Sequence, residues 1–312
     1  MRSLIIFTLV GVGAQLVDGA LGMAFGVTAS TLLVLSGVAS AQASAAVHLA
    51  EVGTTFASGL SHWKFKNIDW HIVLKLGVPG AIGAFLGATV LSSLSTEDAA
   101  PVMAAILLAI GLYVLVRFSL KTPPAVKIGT TKHGAKFLAP LGLFGGFIDA
   151  SGGGGWGPVT TSTLLSSGKT APRTVIGSVS ASEFLVAVSA SLGFLIGLRE
   201  EFFDNLLIVV GLAVGGVIAA PFAAWLVSRI SPALLGTAVG GVIVLTNSQK
   251  LVKYFGVESP WSTLIYGAIV VVWATFVYLA WRLSKAPAFV PEEFEAGVDD
   301  VQQPAEVVDD AR

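Results

Sequence analysis

Four carboxylates lie inside long apolar runs, where an ionised acid is expensive to keep. They are Asp18, Glu51, Asp149 and Glu183. A charge at the centre of a bilayer costs about 3 kcal/mol or more, so such groups are generally paired or functional. The chemistry open to them is a proton or ion relay beside a solute cavity. Asp18 and Asp149 could equally cap a helix that restarts after a break, accepting its free N–H groups. Glu51 and Glu183 sit mid-run with no cap to serve, so they point to proton coupling or gating. His48 and Thr55 share a helical face with Glu51, at i−3 and i+4, and Ser180 precedes Glu183 by three. His48 with Glu51 offers two metal ligands, too few to indicate a metal, and neither metal nor cofactor is expected.

The second chemical signal is "SGGGGWGPVTTSTLL" from Ser151. Four successive glycines cannot stabilise a helix interior, at about 1 kcal/mol each relative to alanine. Pro158 suits the first turn of a new helix. The segment therefore predicts helix, break, helix. A break frees backbone N–H groups, and the new helix presents its positive end. In a membrane cavity this is an anion-binding device. Gly152, Gly153, Gly154, Gly155, Gly157 and Thr160 are the expected substrate contacts. The alternative is close helix packing at small residues.

These groups need helices that span a membrane. The chain has 312 residues, 54% hydrophobic and 12% charged, with a mean hydropathy of +0.83. So few charges cannot cover a soluble globule of this size. The apolar blocks run approximately 4–37, 42–62, 72–94, 101–118, 137–168, 173–198, 205–228, 232–249 and 261–282. Most are about 20 residues, one helical crossing. Blocks 4–37 and 137–168 are longer, and a kinked or unwound helix would fit each to the bilayer. Four crossings per half then make the two halves parallel; a re-entrant hairpin at Asp18 or Asp149 is the alternative that would change that parity. There is no cysteine, which excludes disulfides and thiolate chemistry.

The two long blocks resemble each other at an offset of 131: Asp18 matches Asp149, Gly22 matches Gly153, and Gly26 matches Gly157. Leu33, Ser36 and Gly37 match Leu164, Ser167 and Gly168, and one inserted residue later Glu51 pairs with Glu183. Gly22 and Gly26 thereby join the expected substrate contacts, with Ser180 and His48. The expected fold is an all-α polytopic membrane protein. It has two repeated four-helix halves with broken first helices and one extra C-terminal helix. Residues 1–118 form the first repeat, 119–136 a basic cytoplasmic linker and 137–255 the second repeat. Residues 256–285 add the extra helix, and 286–312 an acidic, disordered tail. Repeated halves are frequent in transporters, with the site between them.

The linker carries Lys121, Lys127, Lys132 and Lys136 and no acid, which places it inside. Counting crossings from there puts Arg2, Lys64, Lys66, Lys250 and Lys253 inside. It puts Glu97 and Asp98 outside, Lys169 near an external mouth and the tail outside.

"DGALGMAFG…LLVLSG…ASAAVHLAE" and "GGFIDASGGGGWGPV…LL" resemble the sulfite exporter TauE/SafE family of membrane permeases. The resemblance covers approximately residues 4–255. It implies two four-helix repeats in a bacterial inner membrane and a small sulfur-containing anion as solute: sulfite, a sulfonate or a related organic acid. The first repeat departs from the glycine run, with Leu21, Met23 and Ala24 where the second has glycines.

The expected function is secondary transport of a small anion by alternating access, not enzyme chemistry. The partners are that solute and the lipid bilayer. Nucleic acid and nucleotide are not expected, and a homo-oligomer is compatible. One rival is a cation or metal-ion transporter or channel using the four acids. Another is a membrane-embedded enzyme, for which His62, His71 and His133, in or near loops, offer little.

Overall fold

Every regular element of the described chain is helical. The computed structural model describes residues 2–21, 23–120, 133–167, 169–170, 172–199, 201–204, 206–227 and 231–285. Gly22, most of the linker and the acidic tail therefore lie outside the described residues. The helices are α1 (Arg2–Leu21), α2 (Phe25–Leu35), α3 (Ser40–Lys64), α4 (Trp70–Ser93), α5 (Thr96–Leu120) and α6 (Ala135–Gly152). A π-helical turn, Gly157–Thr161, leads into α7 (Ser162–Ser166). Then come α8 (Pro172–Leu198), α9 (Glu201–Asp204), α10 (Leu206–Val227), α11 (Pro232–Tyr254) and α12 (Trp261–Lys285).

Local chemistry explains several of these boundaries. Asp69 caps α4, its carboxylate accepting the His71 N–H at 2.9 Å. Ser231 caps α11 by accepting the Leu234 N–H at 3.2 Å, with Pro232 in the first turn. The break after α6 is made by Gly153, Gly154 and Gly155 at φ +72°, +145° and +156°. Three such residues in a row turn the chain around, which only glycine does at little cost. In the break before α2 the described residue at positive φ is Ala24, at φ 96°.

Both breaks reverse the chain. A Cβ on Gly13 of α1 would lie 3.5 Å from Leu32 Cδ1 of α2, although Leu32 lies eight residues beyond Ala24. A Cβ on Gly145 of α6 would lie 2.8 Å from Thr160 Cγ2. So 4–37 and 137–168 are helical hairpins, not kinked single crossings. In 137–168 the cause is the run of positive φ at Gly153–Gly155, which a kink does not require; in 4–37 the described part of the turn holds one such residue, Ala24.

Helix directions follow from the contacts of small residues, which let backbones approach. Gly142 and Gly146 of α6 pack on Leu76 and Gly80 of α4, so the two run parallel. Gly211 and Gly215 of α10 pack on Phe7, Thr8 and Val12 of α1, also parallel. Along α4 and α8, Gly77 meets Ser182 and Gly197 meets Ser92, parallel again. In contrast α3 and α8 are antiparallel: Ser58 hydrogen-bonds Ser180 at 2.8 Å, and His48 lies against Phe194 with ring centroids 6.1 Å apart. Helices α5 and α11 are antiparallel too, Gly111 meeting Ile243 and Gly236 meeting Phe118.

Because each hairpin returns to the end it entered, every element after it shifts by one crossing from the expected count. The end at which α5 stops and α6 starts, the linker end, also holds Lys64, Lys66 and Lys169. Helix α1 starts at the opposite end. Helix α11 finishes there as well, with Lys250 and Lys253. Helix α12 packs back along α11, its Trp273 indole donating to the Thr237 carbonyl at 3.2 Å, and finishes at the linker end. The expected positions of Arg2, Lys169, Lys250, Lys253 and the start of the tail are all corrected by this one cause.

Two apolar cores result, one among α4, α6 and α8 and one among α1, α2, α3, α5, α10 and α11. Among the described residues, four stretches are long and apolar enough to cross a membrane: Trp70–Ser93, Glu97–Leu120, Thr174–Leu198 and Trp261–Arg282. Helix α3 is not one of them. It carries Ser40, Ser44, His48, Glu51, Thr55, Ser58 and His62 at steps of three or four, a polar stripe along one face of the whole helix.

Candidate functional site

The tips of the two hairpins meet. A Cβ on Gly26 would lie 2.8 Å from the Gly154 Cα and 3.0 Å from Glu51 Oε1. The Ser30 hydroxyl donates to the Gly153 carbonyl, tying α2 to the opposite tip. Each restarted helix is capped by an aspartate seven residues back. Asp18 Oδ1 accepts the Phe25 N–H at 3.2 Å, and Asp149 Oδ1 accepts the Trp156 N–H at 2.8 Å. The capping reading of these two acids and their place in the cavity are thus both true of the structure.

A cavity of about 340 Å³ lies at the meeting of the tips. Its wall takes Gly26 and Val27 from the start of α2 and Gly155, Gly157 and Pro158 from the second restart. Asp18, Glu51, Asp149 and Glu183 all line it, and among the described residues no lysine or arginine does. Hydroxyls come from Thr54, Thr55, Ser58, Thr161 and Ser180. Thr55 donates to the Glu51 carbonyl at 2.5 Å, so its hydroxyl is satisfied within α3.

The cavity is one-sided. Its α3 lining runs from Glu51 to His62, and its α8 lining from Ile176 to Glu183, all on the linker side of the tips. Beyond Glu51 the α3 stripe is closed: Ser44 and His48 are buried, with Ser44 donating to the Ala150 carbonyl at 2.6 Å. The stripe ends at Ser40, itself buried, which lines a separate cavity of about 280 Å³ together with Gln42, Ser92 and Ser95. Since the chain has no cysteine, single cysteines report this directly. Ser180→Cys and Ser58→Cys are expected to react with an impermeant maleimide added on the linker side and not from the other. Ser44→Cys is expected to resist from both sides. Labelling of Ser44→Cys as fast as Ser180→Cys would contradict a closed half-path.

Of the expected contacts, Gly26, Gly155, Gly157, Ser180, Asp18, Glu51, Asp149 and Glu183 line the cavity. Others support it from behind. Gly152 packs on Ile106, Gly153 on Ser30 and Met103, and Gly154 on Gly26 and Val27. Thr160 is buried, donating to the Trp156 carbonyl at 2.5 Å. His48 is fully buried, with Nε2 3.1 Å from Asp149 Oδ2. Gly22 lies outside the described residues. Gln15, Met23, Trp156, Ser58 and His62 also line the cavity and are not among the expected contacts. Ser58 and His62 could have been read by extending the stripe through His48, Glu51 and Thr55; Gln15 carries no such signal.

Comparison with known proteins adds a family. The family described as "Sulfite exporter TauE/SafE" matches residues 7–249. The chain is 50% identical over 277 residues to a Bacillus subtilis (strain 168) protein named "Probable membrane transporter protein YtnM". That match covers 89% of this chain and 92% of the relative. No solved structure matches significantly.

Proposed function

We propose that this chain, which belongs to the sulfite exporter TauE/SafE family and is a multi-pass membrane transporter of it, moves a small sulfur-containing anion by alternating access. The single observation that carries the reading is the meeting of two restarted helices across one cavity, each with its first N–H aimed back at a capping aspartate. Helix starts bring positive partial charge, and here Gly26, Gly155 and Gly157 let a solute approach the backbone. A volume of about 340 Å³ is at the small end for ligand pockets, which suits a compact oxyanion. Sulfite or a sulfonate is the substrate class, in keeping with the family description.

The cavity's fixed charges are carboxylates alone. An anion entering beside Asp18, Glu51, Asp149 and Glu183 needs compensating positive charge. Glu51 and Glu183 supply it as proton carriers, so the solute crosses with protons. The antiparallel pairs α3–α8 and α5–α11 support two halves of inverted orientation: residues 1–118 and 137–255, with 256–285 appended. Inverted halves exchange conformations about a central site. The open path on one side and the separate cavity around Ser40 on the other support that motion. Positive-inside bias places the linker end, with Lys64, Lys66, Lys136, Lys169 and Arg282, in the cytoplasm of a bacterial inner membrane.

Proteoliposomes test the reading. Sulfite or sulfoacetate is expected to show saturable flux that responds to an imposed pH gradient, and sulfate little. Glu183→Gln is expected to keep exchange of the anion and lose the pH response. Metal-cation uptake without any sulfur-anion flux would replace this reading with cation transport.

A further inference from the structure

We propose that His48, Glu51 and Asp149 bind a divalent first-row transition-metal cation, with an open coordination position turned to the cavity. The spacing on α3 supplies two of these ligands. The fold supplies the third, since Asp149 comes from 101 residues away in sequence. One ligand atom from each residue can be chosen so that all lie within 4.8 Å of one another.

The hydrogen bonds define what each atom offers. His48 Nδ1 lies 2.8 Å from the Ser44 carbonyl, which can only accept, so Nδ1 carries the proton. In the neutral imidazole Nε2 then presents a lone pair to Asp149 Oδ2 at 3.1 Å, whereas in the imidazolium it donates to that oxygen. Two acceptors at that distance need something positive between or beside them. The same 3.1 Å is an ordinary separation for two cis ligands of one metal with bonds near 2.1 Å. A backbone carbonyl holding the far nitrogen is the usual orienting partner of a metal-bound imidazole. The other Asp149 oxygen is already fixed by the Trp156 N–H. Glu51, only 4% exposed, has an Oε2 with no hydrogen-bond partner. A buried carboxylate oxygen left open beside a lone pair and a second carboxylate is a vacant ligand set.

The donor types narrow the ion. One imidazole and two carboxylates suit zinc, manganese, iron or cobalt, whereas sodium and calcium favour all-oxygen shells. Three protein ligands leave at least one position open. Glu51 and Asp149 line the cavity and His48 stands behind them, so that position faces the solute. A dication there offsets two carboxylates and gives an oxyanion a Lewis-acidic partner. Binding of the metal stands on these side chains; only its role toward the solute rests on the transport reading above.

Full-length protein in detergent, stripped with chelator, is titrated with Co2+ and followed by d–d absorption and elemental analysis. One Co2+ per chain is expected, with visible bands of nitrogen–oxygen coordination. Affinity is expected to fall by about 100-fold in His48→Gln and in Glu51→Gln, and to stay unchanged in Glu97→Gln, at the opposite end. If His48→Gln does not fold, Glu51→Gln carries the comparison. Wild-type protein that retains no Co2+ overturns the proposal. pH-coupled anion flux in that same protein would then assign a shared proton to the Nε2–Oδ2 contact. Binding of Co2+ that is equal in both variants also overturns it. Ligand-dependent Co2+ binding in a protein that carries no sulfur anion supports the metal site and sinks the anion reading.

Discussion

Gly154→Ala is expected to abolish anion flux, with a fall of about 100-fold or more, and to lower the thermal midpoint. Gly154 sits at φ +145°, where a side chain costs about 1–3 kcal/mol of backbone strain. Its new Cβ would also meet the backbone of the facing hairpin, at the Val27 nitrogen and the Gly26 Cα. Backbone cannot swing aside as a side-chain end can, so the tips must part. Overpacking of that kind adds about 1–3 kcal/mol, and about 3 kcal/mol in total is roughly a hundredfold. Gly37→Ala is the matched control. It has φ +93° and nothing within 4 Å of the added carbon, so it carries strain without collision. Gly37→Ala is expected to lose some stability and keep most of its flux in proteoliposomes. Equal flux in the two variants would show that the contact between tips is not needed for transport.

The same tips mark where the sequence could be read and where it could not. Asp18, Glu51, Asp149 and Glu183 stand out because acids are scarce in apolar runs, and all four line one cavity. The glycine run announced a break. It could not announce a reversal, because a kink and a turn use similar residues; the difference lies in three successive positive φ values. That one ambiguity propagated through every later crossing, reversing the expected ends for Lys250 and Lys253. The pairing of His48 with Asp149 was invisible for another reason. Helical spacing reports neighbours three or four apart, and this pair is 101 apart. Periodicity did carry the middle of the α3 stripe, at His48, Glu51 and Thr55; the fold extends it from Ser40 to His62 and turns it into part of one wall and its closed continuation.

Asp149→Asn is expected to fold as the wild type and to lose at least about tenfold in flux. The two effects separate because asparagine can keep every bond that the aspartate makes. Its Oδ1 still accepts the Trp156 N–H, now 2.8 Å from the carboxylate. Its amide N–H can donate to the His48 Nε2 lone pair, which faces Asp149 Oδ2 at 3.1 Å. Only the charge disappears. A thermal midpoint within a few degrees of wild type is expected, since a ΔΔG under about 1 kcal/mol moves a domain of this size by roughly 2–4 °C. Asp149→Ala breaks both bonds and leaves a buried N–H unpaired, at about 1–3 kcal/mol for the lost partner. It is expected to lose both flux and stability. Asp18 makes a longer bond to the Phe25 N–H, at 3.2 Å, and has no histidine bonded to it in the described structure. Asp18→Asn should therefore reduce flux less than Asp149→Asn does. Wild-type flux in Asp149→Asn, beside a destabilised Asp149→Ala, would reduce Asp149 to a helix cap and leave the transport chemistry to Glu51 and Glu183.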